Sequence, residues 1–214
     1  MNLQIALMGY AAAAVAFGVL SIVLLTAWRQ RVRGSLLPLA TLVAAAWAGA
    51  LAWTSMAPEV SAAHMLVYEM GHDFAWLVFL SSLLSGAVAV QTNWLVRKGG
   101  VVLGGVLLLL SLLLAFAGLD RYFPNLGGNI FVMGSIATSL YALVGIEQLY
   151  RNARPTQQNG LKFLCLGLAG IFAYDLFLYS NAIVDGQIGA VYWSARGYVV
   201  ALCVPLIAVS VQRI

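Results

Sequence analysis

The chain has 214 residues, of which 63% are hydrophobic and 8% charged, against roughly 45–50% and about 25% in a soluble domain. Eleven Lys and Arg with seven Asp and Glu cannot cover the surface of a soluble fold of this length. Soluble enzymes, disordered chains and nucleic-acid binders are thereby excluded, and a polytopic helical membrane protein remains.

A helix needs about 20 apolar residues to cross a bilayer, and seven runs qualify in chain order. The first, near 4–28, has no basic residue before it and so lacks the charged start of a signal peptide; it reads as a retained span. Arg29, Arg31 and Arg33 follow it. The second, near 36–56, closes at a Pro58-Glu59 turn. The third, near 64–90, contains Glu69, His72 and Asp73, whose i, i+3, i+4 spacing puts them on one helical face. Gln91-Thr92-Asn93 and then Arg97-Lys98 separate it from the fourth, near 99–119. There Gly100 and Gly104 have the spacing that permits close helix contact, within the bundle or between subunits.

Asp120-Arg121 and Pro124 to Gly128 lead to the fifth run, near 129–149, where Glu147 stands one turn before Arg151 and pairs with it at the interface. The sixth, near 160–181, carries Asp175 between Tyr174 and Tyr179. Asp185-Gly186 precedes the seventh, near 190–211, with Trp193, Arg196 and a kink-permitting Pro205. These runs do not alternate as barrel strands would. The expected fold is all-α: one polytopic transmembrane bundle of about seven helices spanning residues 1–214.

The basic residues orient it. Arg29, Arg31, Arg33, Arg97, Lys98, Arg151, Arg154, Lys162 and Arg213 fall on one side of a seven-span arrangement, leaving Arg121 and Arg196. The positive-inside rule then puts the N-terminus outside and the C-terminus in the cytoplasm. The net charge of +4 is thus explained by topology and lipid headgroups, without nucleic acid. Trp28, Trp53, Trp94, Tyr122 and Tyr150 stand near span ends, where amphipathic rings favour the interface.

Ionisable groups at membrane depth are costly and mark the place to look for function. At about 1.5 Å per residue, Glu69 lies roughly 8 Å below the outer boundary, Arg196 about 9 Å and Asp175 within about 10 Å, with Asp73 deeper. An Asp175–Arg196 pair is geometrically allowed. The candidate is an outward-facing polar pocket built by Glu69, His72, Asp73, Tyr174, Asp175, Tyr179, Trp193 and Arg196. Such a layer can serve as a helix-register lock, a ligand or signal sensor, or an ion or proton path, and the residues leave these open.

Other chemistries are disfavoured. The last span has no lysine for retinal, and Lys162 is too shallow. His64 and His72 share one span, so they cannot face each other across a haem. No H-E-x-x-H motif is present, and His72-Asp73-Phe74 lies in an apolar run, unlike a phosphoacceptor box. Cys165 and Cys203 lack metal or redox spacing and read as packing residues. No cofactor, metal or catalytic residue is expected.

The last third is more specific. Gly145-Ile146-Glu147-Gln148-Leu149-Tyr150-Arg151-Asn152 is followed by Leu161-Lys162-Phe163-Leu164-Cys165-Leu166-Gly167-Leu168. Then come Phe172-Ala173-Tyr174-Asp175-Leu176-Phe177-Leu178-Tyr179-Ser180 and Trp193-Ser194-Ala195-Arg196-Gly197. This order resembles the N-terminal membrane region of the PrsK family, histidine kinases of the PEP-CTERM/exosortase system. Earlier spans agree only in hydropathy and in the basic cluster after span one. The resemblance implies a sensory region in a bacterial inner membrane, followed by a GAF-like module and an ATP-binding kinase core that is absent from this chain. It further implies a homodimer, and a cytoplasmic response regulator that controls exopolysaccharide and PEP-CTERM protein export genes. The matching site residues are Tyr174, Asp175, Tyr179, Trp193 and Arg196. The alternatives are a small ion- or proton-coupled transporter or channel using Glu69, Asp73 and Asp175, or a membrane anchor without ligand.

Overall fold

A computed structural model describes residues 2–26, 36–56, 62–87, 94–117 and 126–213. They form seven helices and no strand: α1 Asn2–Thr26, α2 Leu37–Thr54, α3 Ala62–Ala87, α4 Trp94–Phe116, α5 Leu126–Asn152, α6 Pro155–Asp185 and α7 Ala190–Arg213. Six are long and apolar enough to cross a membrane, as a multi-pass membrane protein requires. The seventh, α3, has 26 residues and carries Glu69, His72 and Asp73. Arg29, Arg31, Arg33, Trp28, Pro58-Glu59, Gln91 to Asn93, Asp120-Arg121, Tyr122 and Pro124-Asn125 lie outside the described residues, as do the side chains of Arg97 and Arg213.

Local chemistry sets several ends. Pro155 opens α6, where a missing N–H costs nothing because the first-turn donors are unpaired anyway. Gly186 closes α6 with φ of 70°, a left-handed conformation that a β-carbon would strain. Pro38 stands in the first turn of α2 on the same logic. The helix of α7 continues through Pro205 to Arg213.

The packing order is not the chain order. α1 packs on α2 and α7, α2 on α3, α3 on α5, α5 on α6, and α6 on α7. These six close into a ring, and α4 lies outside it against α3 and α5. Gly100 and Gly104 make that docking possible. A β-carbon at Gly100 would come 2.7 Å from the Tyr141 ring, and one at Gly104 would come 3.1 Å from Leu77. Their spacing is used inside the bundle. The Tyr141 hydroxyl also donates to the Leu95 carbonyl.

The distribution of polarity is inverted relative to a soluble protein. Val15, Val19, Ile22, Leu39, Leu109 and Leu202 face outward and are exposed, the arrangement lipid tails favour. The interior holds Tyr10, Phe17, Trp47, Trp76 and Phe172 together with Glu69, His72, Asp73, Asp175 and Arg196, all buried. Trp53, Trp94 and Tyr150 are exposed. Lys98, Arg151, Arg154 and Lys162 are exposed as well. The Arg151 Nη1 to Glu147 Oε1 bond, 3.0 Å long, is a solvent-accessible i, i+4 pair.

Candidate functional site

The site begins with a close crossing of α1 and α7. A β-carbon at Gly197 would lie 2.5 Å from both the Gly9 carbonyl carbon and the Tyr10 nitrogen. Glycine therefore lets the two backbones touch. Arg196 stands next to that crossing, 1% exposed, in the ring interior.

Three of its donors meet two carboxylates. Nε donates to Asp175 Oδ1 at 2.5 Å and Nη2 to Asp175 Oδ2 at 2.8 Å, a two-pronged pair across α6 and α7. Nη1 donates to Glu69 Oε1 on α3 at 2.8 Å. The planar guanidinium suits this forked geometry, which a lysine ammonium cannot reproduce. Its Cζ also lies 4.9 Å from the ring centre of Trp47, 5.4 Å from Trp193 and 5.7 Å from Tyr179. Aromatic faces are electron-rich and stabilise a desolvated cation.

Glu69 is further satisfied by Trp47 Nε1 at 3.1 Å and by the Tyr179 hydroxyl at 3.4 Å. Trp47 stacks on His72 with ring centres 4.1 Å apart. The His72 tautomer follows from its partners. Trp76 Nε1, which can only donate, lies 3.0 Å from His72 Nε2. Nε2 must therefore be the unprotonated nitrogen, and Nδ1 carries the hydrogen toward Asp73 Oδ1 at 3.3 Å. The contact is a hydrogen bond from a neutral imidazole, not an ion pair. Asp73 Oδ2 accepts from the Thr138 hydroxyl of α5 at 2.6 Å.

Seven of the eight sequence-predicted residues are therefore contiguous: Glu69, His72, Asp73, Asp175, Tyr179, Trp193 and Arg196. Tyr174 is apart. It is half-buried, and its hydroxyl donates to the Tyr192 carbonyl at 2.7 Å, tying α6 to the first turn of α7. Sequence reasoning missed Tyr10, Trp47, Trp76, Phe131 and Thr138. Trp47 and Trp76 carried a usable signal. Both stand in mid-span, away from the interface, where a buried indole N–H needs an acceptor.

A cavity of about 380 Å³ opens at the ring end formed by the α1 and α7 N-termini and the α2 C-terminus. Ala6, Thr54, Met65, Phe131, Trp193 and Ser194 line it. Phe131 lies edge-on to Tyr179 at 5.5 Å, and the other side of the aromatic layer meets Arg196. One layer of rings thus separates the cavity from the charges. Tyr10 steadies that layer by donating to the Trp193 carbonyl at 3.1 Å.

Chemically, the site is a desolvated charge cluster beneath an apolar cavity. Among the described residues no group of three or more His, Cys, Asp or Glu is placed to hold a metal. Cys165 and Cys203 are free thiols, both buried. No protein-family model, curated protein or solved structure matches the chain.

Proposed function

We propose that this chain is the seven-span sensory input region of a bacterial two-component histidine kinase linked to exopolysaccharide and PEP-CTERM protein export. Its N-terminus is outside and its C-terminus cytoplasmic in the inner membrane. The parent protein works as a homodimer and signals to a response regulator. The motif series from Gly145 to Gly197 supports the family reading, and the positions of the basic residues support the orientation.

One observation carries the sensory mechanism. Trp193 lines the cavity and, one turn before Arg196 on the same helix, lies over its guanidinium at 5.4 Å. A molecule entering the cavity displaces that ring. The displacement alters the bonds from Arg196 to α6 and α3, and α7 transmits the shift toward its cytoplasmic end. A ligand acts this way only if it binds the two packings with different affinity.

The test has two arms. The coding sequence immediately beyond Ile214 should continue into GAF-like and kinase motifs; a stop codon there overturns the kinase assignment. In the full-length protein in nanodiscs, Trp193→Ala should change the autophosphorylation rate, and an unchanged rate overturns the route through Trp193. The transporter reading draws on the three buried carboxylates Glu69, Asp73 and Asp175. It is favoured instead if liposomes show proton-dependent flux that Asp175→Asn abolishes.

A further inference from the structure

The cluster is short of positive charge. Glu69 and Asp175 share one guanidinium, and among the described residues Asp73 faces only neutral donors, the His72 Nδ1–H and the Thr138 hydroxyl. A carboxylate that is 3% exposed and lacks a cation carries a large desolvation cost.

A second observation lies on α5. Buried serines elsewhere donate to a carbonyl three or four residues back, Ser21 at 2.8 Å, Ser111 at 2.7 Å and Ser210 at 2.6 Å. Ser135 and Ser139, each 1% exposed, have no hydrogen-bond partner for their hydroxyls among the described residues. Leaving such a group unsatisfied in a dry interior is costly. Both stand within one turn of Thr138. Phe131, one turn before Ser135, faces Tyr179 and Trp193, and Thr138 faces Asp73. The helical phase therefore turns this stripe of α5 toward the polar core.

We propose that Asp73, with the hydroxyls of Thr138, Ser135 and Ser139, holds one sodium ion where α3 and α5 meet the ring interior. One carboxylate and three hydroxyls are hard oxygen donors that suit a small hard cation. Calcium takes six to eight oxygens, commonly with several carboxylates. The hydroxyls accept nothing from the backbone ladder and can turn their lone pairs to the ion. Thr138 releases or retains its bond to Asp73 without leaving the site. The inference is independent of any kinase: it concerns what neutralises Asp73, and its failure leaves the sensory reading untouched.

The experiment measures thermal unfolding of the purified chain in nanodiscs, in sodium chloride against choline chloride at equal ionic strength. It is paired with radioactive sodium retention. A cation that binds the folded state raises Tm with concentration and then saturates. The expected result is that saturating rise, with one sodium retained per chain. Ser135→Ala/Ser139→Ala should need about tenfold more sodium for the same rise, with Tm in choline unlowered. Asp73→Asn should remove the sodium response. Equal Tm in the two salts with no retained sodium overturns the proposal, as does a response to potassium, calcium or pH alone. The double serine variant keeps the test decisive if Asp73→Asn does not fold: an unshifted sodium midpoint there overturns the site.

Discussion

Arg196 and Asp175 meet in a forked pair at 2.5 and 2.8 Å, both about 1% exposed, and this pair joins α7 to α6 at the centre of the ring. Glu69 extends it to α3. Removing one partner leaves the other charge buried and unpaired, which is the costly event in such clusters. Arg196→Met should destabilise the bundle by about 3–5 kcal/mol. Arg196→Met with Asp175→Leu and Glu69→Leu should regain much of that loss. Unfolding in mixed detergent micelles checks both, and a triple variant weaker than the single one contradicts this account.

The α1–α7 crossing makes an asymmetric prediction. A β-carbon at Gly197 meets backbone atoms of Gly9 and Tyr10 at 2.5 Å, whereas one at Gly9 meets chiefly the Tyr198 ring at 2.9 Å. Backbone cannot move aside as a side chain can. Gly197→Ala should therefore cost roughly 1–3 kcal/mol, and Gly9→Ala less. The same unfolding measurement ranks them.

The neutral His72 makes a spectroscopic prediction. Nitrogen-15 shifts of the ring should report an unprotonated Nε2 and a protonated Nδ1 at neutral pH. Trp76→Phe removes the N–H that Nε2 accepts and leaves a buried acceptor without a partner. It should cost about 1–3 kcal/mol and move the Nε2 resonance. An Nε2 that carries the proton in the unsubstituted protein contradicts the assigned network.

The outer helix should be separable from the core. Gly100→Leu places side-chain atoms where the Tyr141 ring stands and should loosen α4 from α3 and α5. The Trp47 and Trp76 emission, which reports the ring interior, should persist. Cysteine cross-linking between α4 and α5 measures the first effect and fluorescence the second. Glu147→Gln is a useful control: the exposed pair with Arg151 should contribute no more than about 1 kcal/mol.

Helix existence was legible because lipid forbids unsatisfied backbone, so every long apolar run must satisfy its own hydrogen bonds. The boundaries were less so. The α5 and α6 helices run to Leu126–Asn152 and Pro155–Asp185, past the 129–149 and 160–181 windows, because a helix continues through polar residues once hydropathy has ended. The i, i+3, i+4 spacing of Glu69, His72 and Asp73 located the polar face of α3. It did not show that this face divides. Glu69 serves Arg196 while Asp73 turns to Thr138, a split that depends on which neighbour each turn meets.

By itself, the sequence determined a helical membrane protein and named most of the residues at its polar centre, since charge in an apolar run is conspicuous wherever it packs. Only the tertiary structure decided that α3 pairs with α5, leaving α4 outside. It also decided that Gly197 brings Arg196 against α1, and that Trp47, Trp76 and Thr138 complete the hydrogen bonds. Those outcomes turn on contacts between residues far apart in the chain, Gly9 and Gly197 among them. Local periodicity specifies which face of a helix is polar; only packing specifies what that face meets.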